Sequence, residues 1–79
     1  MDEEMQQFQQ QLQDDITQLR MLNHAPRILV LGIRDYAVFE RIKQLYPDYP
    51  NVIVVDGREQ RWGMEIRRVP AEFHFEVLP

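Results

Sequence analysis

The sequence contains no cysteine among its 79 residues, and only three glycines. Without cysteine the chain has no disulfide framework, no thiol nucleophile and no cysteine-based zinc site. Small secreted domains usually depend on disulfides, so we expect a reducing, cytoplasmic environment. No apolar run approaches the roughly 18 residues of a membrane span, and the acidic, Gln-rich start is unlike a signal peptide. We therefore expect no contact with a membrane.

Positive charge is also scarce, with nine Lys and Arg against 13 Asp and Glu and a formal net charge of −4. The whole excess lies in residues 1–23, because residues 24–79 hold eight basic and eight acidic residues. This sign argues against general binding to nucleic-acid backbones. The length allows one small domain over 1–79, which we divide into a helix at 1–24 and a βαβββ core at 27–79.

The N-terminal segment has the apolar spacing of an amphipathic helix over residues 2–23, with an apolar stripe that runs from Met5 to Leu22. Seven glutamines occupy most of the positions between its apolar residues. Such a stripe predicts packing on the chain's own sheet, or alternatively on a second copy or a partner. The candidate oligomerisation surface consists of Met5, Phe8, Leu12, Ile16 and Leu19.

The rest of the chain alternates between strand and helix signals. Apolar runs at 27–31 and 51–55 predict two buried parallel strands, joined by a helix over 36–46 that Asp35 caps. A turn follows at 56–59. The alternating segments 64–69 and 73–77 then predict an antiparallel hairpin. The fold class is α+β, with a long N-terminal helix and a β-α-β-β-β unit forming a four-stranded mixed sheet packed by two helices.

No group of residues has the composition of a catalytic or metal site. His24 and His74 have no serine nearby, and Asp14 and Asp15 point about 100° apart on a helix, too far to act as a paired acid and base. We therefore predict no enzyme activity, no catalytic residue, no metal and no cofactor.

The segment 58–68 holds the only tryptophan of the sequence among four arginines. Trp and Arg are enriched at the energetic centres of protein interfaces. The candidate protein-binding residues are Arg58, Arg61, Trp62, Arg67 and Arg68. Alternatively, Trp62 closes the edge of the core and the arginines pair with Glu59 and Glu65. Arginine beside an aromatic ring also suits nucleic acid, but the net charge makes that partner the weakest of these alternatives.

A different class of function would use the ends of the two predicted parallel strands, near Asp35 and Asp56. Ligand sites in open α/β sheets gather at the carboxyl ends of such strands. A small-ligand or nucleotide site there is the alternative function, although Gly32 alone is no phosphate-binding loop.

The order of four segments, at 28–31, 46–47, 52–57 and 62–66, resembles that of small phage and prophage proteins of uncharacterised function. The resemblance covers about residues 27–70. It implies binding to a host or virion protein, including inhibition of a host defence, and it implies no catalytic residue.

Together with these features of the sequence, the resemblance leads us to expect a non-enzymatic protein-interaction module that self-associates. Either Trp62 with its neighbouring arginines or the long helix would supply its contact surface.

Overall fold

The structure, a computed structural model, describes residues 2–47 and 53–79, and for residues 53–55 it describes the backbone alone. Seven elements follow one another within these ranges: α1 (Glu3–Met21), β1 (Ile28–Leu31), α2 (Ile33–Leu45), β2 (Ile53–Val55), β3 (Arg58–Arg61), β4 (Met64–Arg68) and β5 (Phe75–Leu78). The predicted α+β class, with a long N-terminal helix and a mixed sheet packed by two helices, is confirmed. The start of the predicted strand at 51 and most of the predicted helix-to-strand connection lie outside the described residues.

The sheet has five strands in the order β2-β3-β4-β1-β5, and not the four that were predicted. β1 pairs with β4 in parallel and with β5 antiparallel, while the β2–β3 and β3–β4 pairs are antiparallel. The two strands that α2 joins run in the same direction, as predicted, but β3 and β4 lie between them. β2 and β5 are therefore the edges of the described sheet.

The additional strand, β3, exists because two-residue turns flank it on both sides. Asp56 and Gly57 have φ values of 52° and 76°, and Trp62 and Gly63 have φ values of 56° and 72°. Positive φ at both central residues defines the turn whose twist suits a tight hairpin. The predicted turn over 56–59 is thus wrong in its second half, where the chain has already entered β3.

The predicted hairpin between the last two strands is also wrong, because β1 lies between β4 and β5. The connection after β4 crosses the end of β1, where the Val69 N–H donates to the Leu31 carbonyl and the Gly32 N–H donates to the His74 carbonyl. β5 begins at Phe75, so Phe73 lies outside it and is 70% exposed.

Helix α1 has a specific cap at each end. The N–H of Met5 donates to Oδ1 of Asp2 at 2.9 Å. At the other end Asn23 takes a left-handed φ of 63°, and the N–H of His24 donates to the Leu19 carbonyl at 3.1 Å. This is the Schellman arrangement, and it explains why the helix ends beside Asn23, as its sequence predicts.

Helix α2 begins at Ile33, three residues before the predicted start, with Gly32 and not Asp35 at its N-cap. No side chain caps it. The N–H groups of Ile33 and Arg34 donate instead to the carbonyls of Ala71 and Glu72, at 2.8 and 3.1 Å. Backbone carbonyls thus perform the role that the sequence assigned to a carboxylate.

Both helices contribute to one core with β1 and β4. Leu29 and Leu31 of β1 are fully buried in it, which places the helices on the face of the sheet to which these two side chains point. The buried members of the core are Met5, Phe8, Leu12, Leu29, Leu31, Phe39, Ile42 and Met64.

The opposite face of the sheet bears no described helix, and ion pairs cover it. Arg58 and Arg67 lie on either side of Glu65, with nitrogen–oxygen distances of 3.1 and 3.3 Å. Val30 shares this face, because it pairs with Arg67 in the register, yet it is only 8% exposed. Charged side chains with long aliphatic stems shield such apolar positions from water.

Candidate functional site

The Trp62 ring packs on the core at the turn between β3 and β4. It is half-buried, and its centroid lies 6.3 Å from that of Phe8 and 6.1 Å from that of Phe39. A positive φ is unfavourable for a bulky residue by roughly 1 to 2 kcal/mol, and packing between the two helices offsets this strain. These contacts favour the interpretation in which Trp62 closes the edge of the core.

Arg61 lies even deeper and is only 3% exposed. Its Nη2 is 3.5 Å from Oε1 of Glu59, and its guanidinium carbon is 5.9 Å from the centroid of Phe39. A side chain so enclosed is not available to a partner, so the structure removes Arg61 from the predicted contact surface.

The other three predicted binding arginines lie on different faces of the sheet. Arg58 and Arg67 belong to the helix-free face, where both pair with Glu65. Arg68 is next to Leu31 in the register and lies on the helix side, over the Tyr36 ring at 5.3 Å. The segment 58–68 therefore does not form one continuous basic surface for a protein or a nucleic acid.

The candidate oligomerisation stripe is divided between the core and the surface. Met5, Phe8 and Leu12 are 3%, 4% and 1% exposed within the single chain. In this fold they cannot also contact a second copy, which corrects their assignment as an oligomerisation surface. Ile16 packs at the edge of the same core, and Leu19 is half-buried beside β5.

The two strand ends proposed for a ligand do not converge. The carboxyl ends of β1 and β2 point the same way but are separated by three strand spacings, roughly 14 Å. The first N–H groups of α2, which would bind an anion, already donate to the carbonyls of Ala71 and Glu72. The structure thus brings Asp35 and Asp56 into no common site.

Asp35 is instead one of three titratable groups at the start of β5. Burial raises the pKa of its carboxyl above the ordinary value, while a hydrogen bond from the His74 backbone N–H and the nearby His74 ring act in the opposite direction. The His74 ring turns to Glu76, with 3.2 Å between Nε2 and Oε1. Asp35 binds the backbone of His74 and not its ring, so these three residues do not form a catalytic relay.

We expect Asp35→Asn to raise the free energy of unfolding at pH 7 and to have no such effect at pH 3. Because the pKa is raised in the fold, Asp35 lowers stability as the pH rises through the folded pKa, and this loss is absent below the ordinary value of 3.8. The asparagine carbonyl still accepts the His74 N–H. Urea titrations at both pH values measure the difference, with the exposed Asp14→Asn as control. Equal gains at the two pH values would contradict the burial effect.

A groove lies between the second half of α1 and the edge strand β5, and we name it the α1–β5 groove. Its volume is about 270 Å³. Leu22 at its rim is 68% exposed, and the adjacent Met21 is 77% exposed. The residues that line it are Asp15, Gln18, Leu19, Leu22, Phe75, Glu76 and Val77.

Sequence reasoning missed the α1–β5 groove, although it placed Leu19 and Leu22 on the apolar stripe. The available signal was the stripe's length, because it continues to Leu22, at the end of α1, beyond the residues that the core buries. The other wall of the groove is β5, and it is open to a partner only because β5 is an edge strand. That position follows from the strand order, which the predicted hairpin had wrong.

Within residues 2–47 and 53–79 no group of three His, Cys, Asp or Glu side chains is placed to hold a metal ion. In the same ranges no helix has the length and apolar character needed to cross a bilayer. No protein-family model, curated protein or solved structure matches the chain.

Proposed function

We propose that the protein is a non-enzymatic module that binds another protein, and that the α1–β5 groove is its contact surface. The observation that carries this proposal is the exposure of Leu22, a large apolar side chain that lines the groove, with Met21 exposed next to it in the sequence. Leu22 and Met21 remain in water at the end of a helix whose other large apolar residues are buried or half-buried. Contiguous exposed apolar side chains with polar neighbours are typical of protein-binding surfaces.

The candidate residues predicted from the sequence support the same proposal, because the structure gives each of those described below a role within the fold. Trp62 and Arg61 pack on the core, and Arg58 and Arg67 neutralise Glu65. Asp35 accepts the backbone N–H of His74 at the end of the connection that crosses β1. The exposed surface of α2 is a weaker candidate, since it carries the opposite charges of Glu40 and Arg41 side by side.

Substitution at the groove rim tests the proposal. We expect Leu22→Asp to leave the fold intact, because the side chain is 68% exposed, and to abolish recovery of bound protein from an extract of the source cells. Leu45→Asp is the matched control, because Leu45 is 61% exposed at the end of the other helix.

Recovery is measured by quantitative mass spectrometry of the captured proteins, and Trp62 fluorescence verifies folding of both variants. Loss of the same proteins with Leu22→Asp but not with Leu45→Asp supports the groove. Recovery that is equal for the wild type and Leu22→Asp would contradict the proposed contact surface.

A further inference from the structure

We propose that the α1–β5 groove binds an extended segment of its partner by strand addition to β5, and that this segment carries a basic residue between two apolar ones. The inference rests on the proposed function and adds the chemistry of the partner. Three properties of the groove specify that chemistry: its backbone groups, its apolar wall and its charge.

The backbone of β5 has hydrogen-bonding groups directed away from the sheet. The Gly32 N–H donates to the His74 carbonyl, which makes His74 one of the residues whose backbone faces β1. In an antiparallel pair the facing alternates along the strand. Glu76 therefore also faces β1, and the N–H and carbonyl groups of Phe75 and Val77 point outward. No described strand pairs with this side of β5. An extended chain is the ligand that satisfies such a row of groups.

The wall of the groove supplies contacts for alternate side chains of an added strand. Phe75 and Val77 pair with Leu31 and Leu29 in the register, so their side chains lie on the helix side of the sheet. Leu19 of α1 and Leu22, the residue that caps the end of α1, line the groove together with these two side chains. In a strand beside β5, every second side chain would point to the same side and pack beneath these two leucines. Apolar residues two positions apart suit that wall.

The charge of the groove selects the residue between them. Asp15 and Glu76 are its two charged lining residues, and no Lys or Arg occurs among the described residues that line it. Glu76 pairs with Val30 in the register, so its side chain lies on the helix-free face of the edge strand. The middle residue of the added segment points to that same face, beside Glu76. A lysine or arginine there would form a cross-strand pair of opposite charges.

A second copy of this chain is a poorer occupant than a foreign segment. Antiparallel pairing of β5 with itself, in the register that uses both Phe75 and Val77 of each copy, would place Glu76 directly opposite Glu76 of the other copy. Like charges in that position destabilise a strand pair. A charged residue on an edge strand is one way in which natural sheets avoid self-pairing.

Peptide binding to the full chain tests the inference. The probe is a fluorescein-labelled peptide in which three valines alternate with two lysines, and its matched control has two glutamates in place of the lysines. We expect the lysine peptide to bind roughly tenfold more tightly by fluorescence anisotropy at low salt, since attraction to Glu76 is replaced by repulsion. Glu76→Lys is expected to reverse this preference.

Asp14→Lys provides the charge-matched control, because it makes the same change on the exposed face of α1 and Asp14 does not line the groove. It should keep the preference for the lysine peptide. Equal binding of both peptides, or a preference that Asp14→Lys reverses as fully as Glu76→Lys does, would overturn the inference. So would a shift of the free chain from monomer to dimer that Glu76→Gln strengthens, because the edge would then be used for self-pairing.

The inference and the proposed function fail in different ways. If neither peptide binds but Leu22→Asp still abolishes recovery of the partner, the groove binds a protein surface that is not an extended strand. If Leu22→Asp has no effect on recovery while the lysine peptide binds with the expected preference, strand addition occurs but is not how the chain engages its partner.

Discussion

Replacing Leu12 with alanine is expected to lower the free energy of unfolding by about 3 to 5 kcal/mol. Leu12 is 1% exposed and lies among the core side chains that α1 shares with the sheet and α2. Removing its side chain takes apolar contacts from the sheet and from α2, and it leaves a cavity in the core. Small domains have total stabilities of about 5 to 15 kcal/mol, so this change would leave the chain close to unfolding at 25 °C.

Urea denaturation followed by Trp62 fluorescence measures the effect, because the ring contacts Phe8 of α1 directly. Leu22→Ala is the matched control on the same helix, and since Leu22 is 68% exposed we expect a change below about 0.5 kcal/mol. A loss that is equally small at Leu12 would mean that α1 is not part of the core in solution, and that its apolar stripe is available to another chain.

The second large effect is expected at Gly32, which we predict to be intolerant of even a methyl group. A Cβ on Gly32 would lie 2.6 Å from the His74 nitrogen and 2.7 Å from the Ala71 carbonyl oxygen. These are backbone atoms, and the same connection caps α2 and begins β5. Gly32→Ala should therefore destabilise the chain by about 2 to 3 kcal/mol and displace β5 from β1.

Gly57→Ala separates this crowding from a general effect of replacing glycine. A Cβ there meets nothing within 4 Å, but the φ of 76° is strained for alanine, so a loss of about 1 kcal/mol is expected. Amide hydrogen exchange of β5 distinguishes the two variants. Faster exchange of β5 in Gly32→Ala alone supports the packing at this crossing, and equal stability losses with unchanged exchange would contradict it.

The features that local patterns determine were predictable from the sequence. The apolar stripe of α1 and the left-handed Asn23 that follows it depend on residues close in the chain. The short apolar run of β1 similarly marks a strand buried on both faces. The start of α2 was misplaced because its capping carbonyls come from Ala71 and Glu72, which are distant in sequence.

The candidate site was not predictable, because it depends on which strands are neighbours. The alternating pattern of β4 and β5 is equally consistent with a hairpin and with two strands on either side of β1. Only the second arrangement makes β5 an edge and leaves the backbone N–H and carbonyl groups of Phe75 and Val77 directed away from the sheet. The same order places Trp62 and Arg61 against the helices, so a segment that suggested a surface is largely part of the core edge.

Amide hydrogen exchange at Phe75 and Val77 tests the central claim most directly, because these two N–H groups would be the donors to the added strand. In the free chain they are expected to exchange rapidly, and the Glu76 N–H between them to be protected by β1. On saturation with the lysine–valine peptide, strand addition predicts protection of both Phe75 and Val77, with little change at Glu76. Rapid exchange of both amides in a chain that anisotropy shows to be saturated would contradict strand addition at β5.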